Sequence, residues 1–333
     1  MMTTWIGLLT MRMLVTGGAG FIGSNFVRSL LVDEDADLEV VNLDALTYAG
    51  VRATVDELDR DPRHTFVHGD IRDPEVVRAI MDGIDRVVHF AAESHVDRSI
   101  AGSTVFLETN VVGTGVLLEA AREAGVDRFL HVSTDEVYGS VPTGFPAEDA
   151  PLRPSSPYAA SKAGSDLLAL SHHVTHGLDI VVSRCTNNYG PYQYPEKVIP
   201  LFVTNLLVGR DVSLYGDGRN ERDWLHVDDH CAALHVLLDR GEAGTVYNIG
   251  ADAQVTNLDL THRILDHFSL GSDHIEYVAD RPGHDLRYAV DSSRMRALGW
   301  APTTNLATRL GETIEWYRAR QDWWRPLRPG TMR

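Results

Sequence analysis

The 333-residue chain has only two cysteines, Cys185 and Cys231, and they stand far apart. That leaves no disulfide framework and no paired-cysteine metal site to hold a fold together. Long apolar runs are missing too: nothing approaches the roughly 18 consecutive residues of a membrane-spanning helix, so no membrane partner is expected. Positive charge is scarce, with 30 Lys and Arg against 47 Asp and Glu and a formal charge of -17. Nucleic acid is repelled at long range by that balance, although a local basic pocket for a small anion is compatible with it. Repeats, low-complexity tracts and flexible linkers are absent as well. At 44% hydrophobic and 23% charged residues, the composition is globular, and the length suffices for one large or two ordinary cores. The first ten residues, MMTTWIGLLT, show neither a basic start nor a small-residue cleavage pattern. A cytoplasmic location is expected, with Met11 as an alternative natural start.

What the chain does contain is alternation. Apolar runs at 13–17 (MLVTG), 40–44 (VVNLD), 65–70 (TFVHGD), 86–92 (RVVHFAA), 128–134 (RFLHVST) and 180–185 (IVVSRC) read as strands. Between them, helix-period stretches cover 21–31, 74–81, 104–124 and 156–175. Strand and helix in turn predict an α/β fold, a doubly wound parallel sheet with helices on both faces and ligands beyond the carboxyl ends of the strands. After residue 186 the pattern shifts to Tyr- and Pro-rich loops (NNYGPYQYPEK), short strands and turn signals at YGDG and DRPGHD. The expected organisation is an extension over 1–10, a large domain over 11–185, and a smaller, partly interleaved lobe over 186–333 that returns some segments to the large domain. The basic, aromatic tail DWWRPLRPG reads as a packed terminus rather than a nucleic-acid patch.

The first strand runs into Thr16-Gly17-Gly18-Ala19-Gly20-Phe21-Ile22-Gly23-Ser24 and then a helix. Gly17, Gly18, Gly20 and Gly23 satisfy both G-x-G-x-x-G and G-x-x-G-x-x-G spacing. In this context glycines let the backbone approach a pyrophosphate, and the helix N-terminus offers it free N–H groups. Asp44 closes the second strand about 20 positions on, placed to hold the ribose hydroxyls of an adenosine. Its carboxylate repels a 2'-phosphate and no arginine follows until Arg52, which favours NAD over NADP. Asp70 and Ile71 at the next strand end face the adenine, and Ala91 and Ala92 are small enough for a cofactor to lie against the backbone.

Tyr158 and Lys162 are four apart, a spacing that puts both on one helix face, with Pro157 in the first turn and Ser155 or Ser156 as cap. A phenol with a reference pKa of about 10 needs help to act as a base; an adjacent ammonium and an oxidised nicotinamide both favour the phenolate. Such a pair can take a proton from an alcohol while hydride leaves its carbon. A second cluster, Asp223, His226, Asp228, Asp229 and His230, includes histidines at helical ligand spacing. Asp228, however, reads better as the cap of the DDHCAALHVLL helix, and no metal is expected.

Taken together, TGGAGFIGS, AAESHVDRS, STDEVYGS, SPYAASKAGSD, NNYGPYQYPEK, YGDGRNERDWLHVDDH and DRPGHDLRY resemble the dTDP-glucose 4,6-dehydratase family of extended short-chain dehydrogenase/reductases, in the same order from residue 11 to about 322. Thr134-Asp135-Glu136 goes beyond the superfamily, since related epimerases share the glycine loop and Tyr-x-x-x-Lys without Asp-Glu. The resemblance implies a Rossmann-type NAD domain, a nucleotide-sugar lobe, and NAD held tightly and regenerated in each turnover. It also implies that Tyr158 removes the C4 hydroxyl proton of dTDP-glucose as hydride passes to NAD, helped by Lys162 and a hydrogen bond from Thr134. Glu136 then takes the C5 proton, protonated Asp135 serves the leaving C6 hydroxyl, and hydride returns to C6. Oxidation at C4 comes first because the C5 proton is not acidic without a neighbouring carbonyl. Adjacent carboxyls with opposite duties need different protonation states, and the residues alone do not say which pKa is raised.

By the same resemblance the cofactor contacts are Gly17, Gly20, Phe21, Ile22, Gly23, Asp44, Ala45, Leu46, Thr47, Asp70, Ile71, Phe90, Ala91, Ala92, Ser94, Thr109, Tyr158, Lys162 and Asn188. The substrate contacts are Ser94, Thr134, Asn187, Lys197, Val198, Ser213, Leu214, Tyr215, Arg222, Asn257, Asp280, Arg281 and His284, with Lys197, Arg222 and Arg281 suited to a diphosphate. A homodimer is implied, with 104–124 and 156–175 as candidate interface helices, although their apolar residues are equally compatible with core. Three other readings remain: a 4-epimerase, a dehydratase acting on another nucleoside diphosphate sugar, and a non-catalytic NAD-binding sensor. Intact Tyr158 and Lys162 argue against the sensor, and Asp135-Glu136 against the epimerase.

Overall fold

A computed structural model describes residues 10–280 and 282–328. Its strands are β1 (Met11–Thr16), β2 (Leu38–Asp44), β3 (His64–His68), β4 (Arg86–His89), β5 (Arg128–Thr134), β6 (Ile180–Cys185), β7 (Asn187–Tyr189), β8 (Val212–Tyr215), β9 (Glu221–His226), β10 (Thr245–Ile249), β11 (Gln254–Thr256) and β12 (Ile275–Val278). Seven of them form one sheet in the order β10-β6-β5-β4-β1-β2-β3. Every neighbouring pair in it is parallel. The chain starts in the middle at β1, winds outward through β2 and β3, returns to β4, and winds out the other way. The β1/β4 junction is therefore the switch point at which such sheets open a crevice.

Strand periodicity explains how both faces are covered. Leu14, Val87 and Phe129 join one buried apolar layer with Leu117, Leu118 and Ile180, while their neighbours Val15, Val88 and Leu130 join the opposite layer with Phe26, Leu234 and Ile249. A third core, containing Tyr189, Phe202, Leu214, Trp224, Leu260, Ile314 and Trp324, belongs to the second half of the chain. There β11, β9 and β7 make a small mixed sheet, and β12 pairs with β8. The same half sends β10 to the edge of the large sheet beside β6. The tail packs where it is described: Trp323 and Trp324 are buried, and their indole N–H groups donate to Thr54 Oγ1 at 2.9 Å and Tyr317 O at 2.6 Å.

Several local differences from expectation bear on the site. The strands β3 and β4 end at His68 and His89, before their apolar runs do, so Gly69 to Ile71 and Phe90 to Ala92 leave the sheet at its carboxyl edge. The 104–124 stretch is helical throughout but widens into a π-helical turn over Glu108–Gly113, a feature often found at functional sites. The helix Pro157–His176 is capped by Ser156, whose Oγ accepts from Ala159 N at 3.1 Å. Ser155 instead donates to the Asp285 carboxylate. Asp228 is not a cap: the helix Val227–Arg240 begins one residue earlier, and His226 Nδ1 accepts from Asp228 N at 3.2 Å. Among the described residues no helix is long and apolar enough to cross a membrane.

Candidate active site

One cleft runs along the carboxyl edge of the large sheet and is lined by residues from Gly17, just after β1, to Lys197. Its floor at the switch point is the glycine turn. Gly17 has φ of 77°, and a Cβ there would lie 2.6 Å from Ala91 N, so the turn and the exit of β4 can be this close only with glycine. Gly20 precedes the helix Phe21–Leu31, and no side chain caps that helix. Its N–H groups face the cleft uncapped, the arrangement that receives a pyrophosphate. At the end of β2, Asp44 is buried; Oδ2 accepts from Ala19 N at 3.0 Å and Oδ1 from Leu46 N at 2.8 Å. Burial raises its pKa against the pull of those two bonds.

Helix and strand ends bring the residues expected to react together in the same cleft. Thr134 ends β5, Asp135 and Glu136 follow in a short 3₁₀ turn, and Tyr158 and Lys162 face the same cleft from the helix Pro157–His176. Lys162 is buried, its ammonium donating to Val132 O at 2.9 Å, and burial lowers its pKa to about 8. Asp135 is only 3% exposed. Burial, then the charges of Glu136 and Asp223, push its carboxyl well above the usual range, while Arg222 opposes them. Asp135 Oδ1 accepts from Thr134 Oγ1 at 3.3 Å, whereas Oδ2 is buried without a protein partner. The Tyr158 hydroxyl is also shifted upward, first by burial and then by Glu136, Cys185 and Asp135, with a hydrogen bond to Thr134 working the other way. The protein alone therefore holds Tyr158 as a phenol, the reverse of what the adjacent lysine suggests from sequence.

Of the residues expected to hold cofactor, all but Leu46 line this cleft. Leu46 sits beside it with φ of 48°, its N–H on Asp44. Asn188 lines the cleft, but its side chain is turned inward, donating to Thr186 O and accepting from His230 Nδ1, each at 2.9 Å. Among expected substrate contacts, Ser94, Thr134, Asn187 and Lys197 line it too, and Lys197 Nζ donates to Ser94 O at 3.2 Å. Val198 starts the next helix and Asn257 another, its N–H on Asn220 O. Ser213, Leu214, Tyr215 and Arg222 lie on β8 and β9 and are not among the cleft-lining residues, although Arg222 is near enough for its charge to act on Asp135. His284 Nδ1 is 2.6 Å from Asp280 Oδ1 and its ring meets Tyr215 edge-on, so these three group together on the second lobe. Arg281 lies outside the described residues. The candidate metal cluster is engaged structurally: Asp223 accepts from Ala251 N and Ala253 N, and Asp229 from Thr303 and Thr304.

Two supporting residues are not apparent from the sequence. Asn110, in the π-helical turn, accepts from Glu93 N at 2.9 Å and donates to Glu93 O at 3.0 Å and Ser161 Oγ at 2.8 Å. It fastens the exit of β4 to the helix of Tyr158; an asparagine inside a helical stretch is the only signal for it. Tyr288 donates to Asp285 Oδ2 at 2.7 Å beneath the Arg222 guanidinium, 4.2 Å from its ring centre, and Glu136 contributes to raising its pKa.

Residues 14–313 match the sequence model of the GDP-mannose 4,6 dehydratase family. A dTDP-glucose 4,6-dehydratase from Streptomyces niveus is 52% identical over 322 residues, covering 96% of each chain. The chain belongs to the dTDP-glucose 4,6-dehydratase family. A solved dTDP-glucose 4,6-dehydratase from Streptomyces venezuelae, with NAD bound, superposes with a TM-score of 0.93 at 56% identity, over 96% of this chain and 100% of that one. The fold is shared more widely: a UDP-glucose 4-epimerase from Thermus thermophilus, also with NAD, reaches 0.86 at 33% identity over 93% of this chain and 100% of that one. Architecture therefore does not separate dehydratase from epimerase, and membership of the dehydratase family rests on sequence identity.

Proposed function

We propose that this chain is an NAD-dependent dTDP-glucose 4,6-dehydratase, converting dTDP-glucose to dTDP-4-keto-6-deoxyglucose. The observation that carries the reading is Asp135, a carboxyl 3% exposed beside Glu136 in the cleft that also presents Tyr158 and Lys162, where burial and the Glu136 charge push it toward the protonated form. An epimerase needs a base for one alcohol; a dehydratase needs, in addition, a base and an acid side by side.

The glycine turn, the uncapped helix and Asp44 fit a dinucleotide, and the buried Oδ1 of Asn187 and Oγ of Ser133, both unpartnered in the protein, add polar groups to the cleft wall. NAD, when bound, supplies reversible oxidation of the sugar and a positive charge that favours the Tyr158 phenolate. Tyr158 then takes the proton of the C4 hydroxyl, with Thr134 as its hydrogen-bond partner and Lys162 as the neighbouring cation. Glu136 removes the proton at C5, acidified by the adjacent carbonyl. Asp135 gives its proton to the departing C6 hydroxyl, releasing water. Its Oδ2, which has no hydrogen-bond partner in the protein, is the oxygen left to carry that proton.

Incubation of the purified protein with dTDP-glucose, followed by alkali, should give the absorbance of a 4-keto sugar. No ketone from dTDP-glucose but turnover of a UDP- or CDP-sugar refutes the nucleotide assignment; no turnover of any of them refutes the enzyme reading.

The working form is read as a cytoplasmic homodimer. Val105 and Val112, seven apart, and Leu167 and Val174, also seven apart, are exposed on the two packed helical stretches expected to form the interface.

A further inference from the structure

Lys162 brings a buried cation to the cleft, and what balances it lies one turn along the same helix. Asp166 is 0% exposed. Its Oδ2 accepts from Arg184 Nε at 2.9 Å, while Oδ1 lies 3.3 Å from His131 Nε2 and makes no well-formed hydrogen bond. Ser165 Oγ donates to Lys162 O at 2.8 Å and so can only accept from His131 Nε2, 3.1 Å away, which places the imidazole proton on Nε2. Arg184 is drawn off toward Tyr138: Nη1 donates to Tyr138 OH at 2.8 Å and to Glu148 O at 3.2 Å, and Tyr138 OH donates to Asn248 Oδ1 at 2.8 Å. A carboxylate with one committed oxygen thus stands at i+4 from Lys162, the spacing at which helix neighbours meet.

We propose that Asp166 is a positioning residue for the reaction, its buried carboxylate serving as the counter-charge that keeps Lys162 an ammonium beside Tyr158. The proposal rests on the roles given to Tyr158 and Lys162 above. Burial lowers Lys162 to about 8, and Asp166 is foremost among the groups holding it up. The other groups around Lys162 do not replace it. From β5, His131 is kept neutral by burial and by Lys162 itself, with a pKa of about 4. From β4, His89 is neutral for the same reasons. From β6, the Cys185 thiol is pushed up to about 12 by burial. From the π-helical turn comes only the uncharged Asn110, bonded to Ser161.

The chain contains two lysines, Lys162 and Lys197, so ¹³C-lysine labelling of the NAD-saturated full chain gives two titrating signals, assigned with Lys197→Arg. In Asp166→Asn the Lys162 midpoint should fall by about one pH unit or more, and the alkaline limb of the kcat profile should move down with it. An unchanged midpoint overturns the proposal whatever happens to turnover or melting temperature, because loosening of the helix alone does not move it. Should that variant not fold, Asp166→Ser carries the test, since it too removes the charge, and the midpoint should fall there as well. A static or higher midpoint there overturns the proposal. The signals are read without substrate, so failure to turn over dTDP-glucose is a separate result that bears on the functional reading alone.

Discussion

Replacing Asp135 with asparagine should make the protein more stable relative to wild type as pH rises, and nearly inactive. The carboxyl is 3% exposed and shifted well above its ordinary value of 3.8, by burial first and by Glu136 second. The native state therefore retains a proton that the unfolded chain releases. Stability is highest below the unfolded pKa and declines as pH rises toward the folded one, by about 1.4 kcal/mol per pH unit for one such group. Asparagine cannot ionise and escapes that loss, while its Oδ1 can still accept from Thr134. For a chain of this size the difference in melting temperature should widen by roughly 3 °C per pH unit above about pH 4. Asp44, Glu93 and Asp223 are raised as well, but they are common to both proteins and cancel in the difference. Thermal melts of both proteins at pH 5, 6 and 7, with initial rates at each pH, make the test. Turnover should drop by about 10²–10⁴-fold, the usual worth of a general acid. Melting curves that stay parallel across that range refute a protonated Asp135, and unimpaired turnover refutes its role as acid.

Other consequences are as direct. Glu136→Gln should slow exchange of the C5 hydrogen with solvent while the absorbance of NADH still develops on mixing with dTDP-glucose; exchange at the normal rate removes Glu136 from the base role. Gly17→Ala forces a Cβ to 2.6 Å from Ala91 N at a positive φ. The variant should lose about 2 kcal/mol or more of stability and be purified without NAD, as read from its absorbance ratio and melting temperature. Leu167→Arg puts a charge on the exposed apolar stripe and should convert a dimer to monomer in sedimentation; an unchanged mass moves the interface elsewhere.

The sheet was legible where strands are buried on both faces. The runs at 128–134 and 180–185 coincide with β5 and β6, where apolar and β-branched residues cluster and almost every side chain is buried. The second half resisted reading, since β7 and β11 have three residues each and take their register from partners far away in sequence. The helices Arg52–Leu58 and Val96–Ala101 escaped for a related reason: each is too short to display an apolar stripe. At the site, the glycine turn, Asp44 and the Tyr158–Lys162 pair carry their chemistry in residue type and spacing. Which of Asp135 and Glu136 is protonated does not, because it depends on burial and on Asp223 and Arg222 from β9. Nothing in the residue pattern singles out Asp166 or Arg184, because it is the packing of the helix Pro157–His176 on β5 and β6 that buries them.

The central claim is that one cleft oxidises C4, eliminates water across C5 and C6, and restores the reducing equivalent at C6. Supplying dTDP-glucose deuterated at C4 and locating the label by NMR tests it in a single measurement. The account predicts deuterium at C6 of a 4-keto-6-deoxy product. Deuterium returned to C4, with the hydroxyl at C6 intact, would contradict it and mark the protein as an epimerase.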